Sequence, residues 1–163
     1  MAISHPVLHR RPSAGVADLA ALSGLWPACR PPAWQTDFPT PGDLAELLAA
    51  PGAAARAWLW QDAGGRTLAY ALVDDYDNLW FDRAPDLMGS AAEDELIAQG
   101  IACARSLAAQ SGEPATLDTA CRADDDWRVA LLRRHGFAEQ GVCTLRLVRQ
   151  LTGLLPDPAL PAG

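Results

Sequence analysis

The chain contains no lysine: all 13 of its basic residues are arginine. That excludes Schiff-base chemistry and any phosphate loop built on a lysine. Cysteine is scarce, and none of Cys29, Cys103, Cys121 and Cys143 forms a C-x-x-C pair, so a zinc ribbon is not expected. The three histidines, His5, His9 and His135, form no H-E-x-x-H pattern, and no metal site is expected. No apolar run approaches the roughly 20 residues that span a bilayer. Met1 to Arg11 lacks an apolar signal-peptide core, which makes a cytoplasmic, membrane-free protein the expectation. Positive charge is also in deficit. The formal net charge is -7 and the pI about 4.8, so nucleic acid is not an expected partner, since phosphate binding needs a basic face.

What the 163 residues do contain is enough apolar material, 50% of the chain, for one well-packed domain. Pro6 to Pro12 suggests a short strand. Val16 to Leu25 has helical spacing and should stop near Gly24 and Pro27. Thr40, Pro41 and Asp43 form a helix start with a capping box, and Pro51-Gly52 its stop. Arg56–Asp62 and Arg66–Val73 flank Ala63-Gly64-Gly65 as a hairpin, and Asn78–Arg83 is a third strand beyond the acidic corner Asp74-Asp75-Tyr76-Asp77. Trp58 and Trp60 share a face of their strand, suited to core packing, an interface or an aromatic acceptor pocket.

The longest predicted helix covers Ala91–Gln110, with Leu96, Ile97, Ile101, Ala104, Leu107 and Ala108 on one face and Ser90/Glu93 as its capping box. A strand over Ala115–Cys121, a short helix over Asp125–His135 capped by Asp124 or Asp125, and a strand over Gly141–Gln150 complete the order. The fold class is therefore α/β (α+β), a mixed central sheet with helices on both faces. Residues 1–150 form one domain, and 151–163 a Pro-rich flexible tail.

This order resembles the GNAT superfamily of acyl-CoA-dependent N-acetyltransferases across residues 6–150. Three segments carry the resemblance: the hairpin, third strand and long helix of Arg56 to Gln110; the strand Ala115–Cys121 with its short helix; and the helix end A-L-L-R-R-H-G-F, Ala130 to Phe137. There Gly136 suits the left-handed position that stops a helix, and Phe137 plugs the core. The resemblance implies that acetyl-CoA is a co-substrate and that the backbone of Leu79, Trp80 and Phe81 pairs with its pantetheine arm. It implies a pyrophosphate cradle at Met88, Gly89, Ser90, Ala91 and Ala92, ahead of the long helix, and a further cofactor contact at Asp125, which opens the last helix.

Several positions depart from that family's pattern. Met88, Ala91 and Glu93 stand where the phosphate loop has Arg or Gln and two small residues. Glu93, Asp94 and Glu95 put negative charge at the helix start, favourable to its dipole but repulsive to a phosphate. Leu132 replaces a tyrosine able to protonate a departing thiolate. Asp75 and Asp82 are the candidate catalytic bases, and the acidic corner could attract a cationic amine. The expected activity is acetyl transfer to a primary amine of a small molecule or peptide. The alternatives are a non-catalytic binding or dimerisation module that has lost CoA, and a domain sensing a small acyl or amine ligand. An intact nest of N–H groups favours the enzyme; a cleft filled by Met88 or Trp80 favours the module. A homodimer is compatible with either.

Overall fold

Residues 5–141 are described by a computed structural model. The expected last strand, the tail 151–163 and Cys143 fall outside them. A central antiparallel sheet runs in the order β1 (His9–Pro12), β2 (Ala57–Gln61), β3 (Thr67–Val73), β4 (Leu79–Arg83). Every residue of β3 is buried, because it lies between β2 and β4 and is covered on both faces. The register sets Tyr70 opposite Asp82 and Leu72 opposite Trp80. Side chains alternate across the sheet. Trp80 and Asp82 therefore face α1 (Leu19–Cys29) and the loop after it, while Leu79, Phe81 and Arg83 face α3 (Ala91–Ser111) and α4 (Asp126–Arg134).

Local signals explain most helix boundaries. Thr40 and Asp43 form the expected capping box at α2 (Pro41–Ala49). Asp125 caps α4 by accepting from the Arg128 N–H, and Gly136 ends that region at φ +86°. Phe137 packs against the core.

Three expectations need correction. The first helix does not stop near Pro27: a 3-10 turn over Gly15–Asp18 leads into α1, which runs on to Cys29 with Pro27 inside it. Proline in a last turn removes only one helical bond, and the extension brings Cys29 and Arg30 to the sheet. Ser90 and Glu93 form no capping box, because the Glu93 carboxylate is drawn into an ion pair with Arg83. The strand expected over Ala115–Cys121 reduces, among the described residues, to one parallel bridge between Asn78 and Asp118. Among the described residues the sheet itself is antiparallel throughout, not mixed, and beyond that bridge the two segments separate.

Close packing fixes α3 on β4. A Cβ added at Gly100 would lie 2.7 Å from a Leu79 methyl carbon, and Leu79 is fully buried. G100A should therefore cost about 1–3 kcal/mol of stability by overpacking, measured as a lowered urea midpoint with unchanged slope. At the other edge, Asp18 receives two hydrogen bonds from the Arg11 guanidinium and one from the Ala14 N–H. The Arg11 bonds outweigh burial and hold its carboxyl at about 2, against an ordinary 3.8. A depressed carboxyl contributes stability that is present above pH 3.8 and lost as pH falls through about 2. The gap in Tm between the wild type and D18N should shrink over that interval; a gap constant with pH would contradict it.

Candidate functional site

β4 and the segment after Glu113 touch only at one end. The Leu79 N–H donates to the Asp118 carbonyl at 2.7 Å, and the Thr119 hydroxyl donates to the Leu79 carbonyl at 2.8 Å. Antiparallel pairing alternates, so the peptide groups of Phe81 point away from β3 on that same side, where the neighbouring segment has already diverged. The wedge opens into a cleft of about 920 Å³, within the size range of small-molecule sites. One wall is Cys29, Arg30 and the loop Pro31 to Pro39; the other is Thr119 to Arg122 with Asp125, Trp127 and Arg128. Leu79, Trp80, Phe81 and Asp82 form the floor.

Beneath the cleft lies a buried charge network. Asp82 is 1% exposed. Its Oδ2 accepts from Arg30 Nη2 at 2.7 Å and from the Tyr70 hydroxyl at 3.1 Å, and its Oδ1 accepts from Arg128 Nη2 at 2.5 Å. Burial works against the Asp82 charge, but the Arg128 and Arg30 cations prevail and the carboxyl sits below its usual range. Such a carboxylate has little affinity left for an amine proton. The same burial, with Asp82 adjacent, pushes the Tyr70 hydroxyl well up. Sequence reasoning singled out Asp82 but missed Arg30, Tyr70 and Arg128. Their partnerships span 52, 12 and 46 residues, and no local pattern signals them.

Cys29 and Cys121 line the cleft. Burial pushes both thiols up, so neither offers a ready thiolate nucleophile. Across the mouth, Arg122 pairs with Asp37 and Asp124 and lies 5.1 Å from the Trp34 ring centroid.

The stretch Met88 to Ala92 forms the turn into α3. Gly89 has φ +74°, a conformation open to glycine. The N–H groups of Met88 and Ser90 bond to Pro85 and Leu87 carbonyls, and that of Glu93 to Ser90. Those of Gly89, Ala91 and Ala92 find no acceptor among the described residues. The Ser90 hydroxyl oxygen beside them is buried and also without a partner. The anticipated repulsion at this end is largely answered. Glu93 is buried against Arg83 at 2.7 Å and accepts from the Trp127 indole at 2.8 Å. Asp94 meets Arg134 and His135, and Glu95 accepts from the Trp60 indole. Met88 is 61% exposed and does not fill the cleft; Trp80 stacks edge-to-face on Phe38 at 4.5 Å.

The two candidate bases are not brought together. Asp75 lines a second cavity of about 400 Å³, also bordered by Glu46 and Tyr76, which shares Phe38 and Trp80 with the main cleft. It pairs there with Arg56. Asp74 accepts from the Trp80 indole and from Tyr76 and Asn78, fixing the corner.

Removing the Asp82 charge leaves Arg30 and Arg128 buried with too little countercharge. D82N should cost about 3–5 kcal/mol, read from urea unfolding. A loss within 0.5 kcal/mol, typical of surface substitutions, would contradict the network's role.

No protein-family model matches this sequence, and no curated protein matches it. Solved structures match its shape. A GCN5-related N-acetyltransferase from Sphaerobacter thermophilus superposes with a TM-score of 0.61 at 20% identity, over 80% of this chain and 43% of that one; this chain thus spans less than half of that protein. The aminoglycoside 6'-N-acetyltransferase AAC(6')-Ih from Acinetobacter baumannii gives 0.59 at 13% identity, over 88% and 99% of the two chains. AAC(6')-Iy, solved with the bisubstrate analog CoA-S-monomethyl-acetylneamine, gives 0.57 at 14%, over 90% and 100%. On these superpositions this chain has the fold of the GCN5-related N-acetyltransferases.

Proposed function

We propose that the protein is an N-acetyltransferase that moves an acetyl group from acetyl-CoA to a primary amine of a small molecule or peptide. The observation that carries this reading is the wedge beside β4, open to about 920 Å³ with the Phe81 peptide group facing into it. An extended pantetheine arm needs an open N–H group on a strand edge; the Leu79 N–H is taken by Asp118, but that of Phe81 has no acceptor among the described residues. The second support is the turn at Gly89. Three N–H groups and a Ser90 hydroxyl, all without a partner among the described residues, sit at the N-terminus of a 21-residue helix, an arrangement suited to a pyrophosphate. The chemistry of these groups fits the cofactor although the sequence of the loop departs from the usual one. Backbone N–H groups do the binding, and Ala91 and Ala92 present them nearly as openly as glycine would. AAC(6')-Iy binds a CoA-based bisubstrate analog on this fold, and one of the similar structures is an aminoglycoside 6'-N-acetyltransferase.

In this reading the acceptor amine enters from the side of Phe38 and Trp80 and attacks the thioester directly, since the cleft thiols stay protonated. Asp82 anchors cations rather than taking the amine proton. Asp75, half-exposed on the adjoining cavity, draws the cationic amine toward the site, and the proton leaves to water or to that acidic rim. Asp125 holds the start of α4 against the cleft.

Calorimetric titration with acetyl-CoA tests the reading. The expected result is saturable binding, weakened at least tenfold in G89V, since a β-branched residue strains the left-handed backbone of the nest. No heat at millimolar acetyl-CoA would overturn the enzyme in favour of a binding module.

A further inference from the structure

The proposed reaction expels a thiolate, and the position at which a tyrosine could protonate it is Leu132, which is buried in the core. One helical turn earlier, on the same face of α4, stands Arg128. Its side chain crosses the wedge to β4. Nη1 donates to the Phe81 carbonyl at 2.6 Å, Nη2 to Asp82 at 2.5 Å, and Nε to Asp125 at 3.1 Å. The guanidinium carbon also lies 4.5 Å from the Phe81 ring centroid.

These bonds engage three of the five N–H donors of a guanidinium. The remaining two, one on each terminal nitrogen, belong to a side chain that lines the cleft. The other cleft arginines are committed elsewhere, Arg122 to Asp37 and Asp124 at the mouth. Arg83 is buried against Glu93 and the Trp127 ring, and Arg30 ties the Asp37 and Pro39 carbonyls to Asp82. Asp82 would keep Arg30 and Tyr70 without Arg128, and Asp125 caps α4 through a backbone N–H. The bond from Arg128 to the Phe81 carbonyl is thus not required by the network beneath. It places a cation on a β4 carbonyl that faces the open wedge.

We propose that Arg128 is the catalytic residue that stabilises the departing CoA thiolate, by charge and hydrogen bonding rather than by giving a proton. The inference rests on the reading that the wedge holds an acyl-CoA. In the step, the amine lone pair forms the C–N bond, the C–S bond breaks and its electron pair stays on sulfur. The amine loses its proton to water or the acidic rim, and the thiolate is protonated by solvent after release. Arg128 remains a cation throughout: burial opposes its charge, but the adjacent Asp82 and Asp125 hold its proton even more firmly than usual. Preorganised donors of this kind contribute on the order of 10²–10³ in rate.

The test needs no known acceptor. Free CoA is bound to the protein and its thiol titrated by the ultraviolet absorbance of the thiolate, with dethio-CoA as the control ligand. In the wild type the bound thiol should titrate about one unit or more below free CoA, a tenfold or greater preference for thiolate. R128Q, at CoA concentrations that saturate it, should show no shift, and saturable binding of dethio-CoA checks that its cleft still forms. R128K keeps a cation and should retain part of the shift, so a fully unshifted thiol in R128K overturns the assignment even if R128Q fails to fold. An unshifted thiol in the wild type, or an equal shift in R128Q, overturns the role of Arg128 and leaves the acetyltransferase reading standing. Absence of CoA binding to the wild type overturns both.

Discussion

Asp82 is where the fold and the site meet. One buried carboxylate on the last described strand of the sheet binds a guanidinium from the end of α1, another from α4 and a phenol from β3. Two arginines sharing one carboxylate, with Asp125 against the second, make a nearly neutral cluster under the floor of the cleft. An ion in the interior is tolerated only with such complete partnering. The partners come from three directions, so satisfying Asp82 also sets where the two walls of the cleft stand. The geometry of the wedge beside β4 follows from this constraint as much as from the sheet itself.

The second constraint lies at the start of α3. Two acids in its first turn, Glu93 and Asp94, with Glu95 just beyond, would be expected to complement the helix dipole and repel an anion. Their side chains instead find Arg83, Trp127, Arg134, His135 and Trp60. Glu93 shows how: an ion pair with Arg83, both side chains 7% exposed, replaces the capping bond to the backbone. The consequence is a helix end whose acids are drawn to the protein while the N–H groups of Ala91 and Ala92, and the Ser90 hydroxyl, find no partner among the described residues. A loop with an unusual sequence thereby keeps the features an anion requires.

The legible parts of the structure were those written in local patterns. The Thr40–Asp43 box, the Asp125 cap, the hairpin of β2 and β3 and the long α3 all follow from residues within a few positions of one another. The same locality explains the misses. The S-x-x-E signature at Ser90 could not register Arg83 ten residues earlier. The stop expected at Pro27 ignored how little a proline costs in a final turn. The strand over Ala115–Cys121 has the composition of a strand, but pairing requires a neighbour, and it meets one only at Asn78, just before β4, and at Leu79, its first residue. Of the proposed site, the resemblance pointed to Leu79–Phe81 and Met88–Ala92; the structure ties the Leu79 backbone to Asp118 and Thr119, a long-range pairing the local sequence does not announce. Arg30 and Arg128 were not legible, because their meaning lies in a shared partner 52 and 46 residues away.

The central claim is that the wedge beside β4 and the turn at Gly89 together receive an acyl-CoA. Its most direct test is the amide spectrum of the ¹⁵N-labelled protein during titration with acetyl-CoA. The account predicts saturable shifts concentrated at Phe81, Gly89, Ala91 and Ala92, with the amides of β1 and α2 unmoved. A spectrum that does not change, or shifts confined to the second cavity around Asp75 and Tyr76, would contradict it.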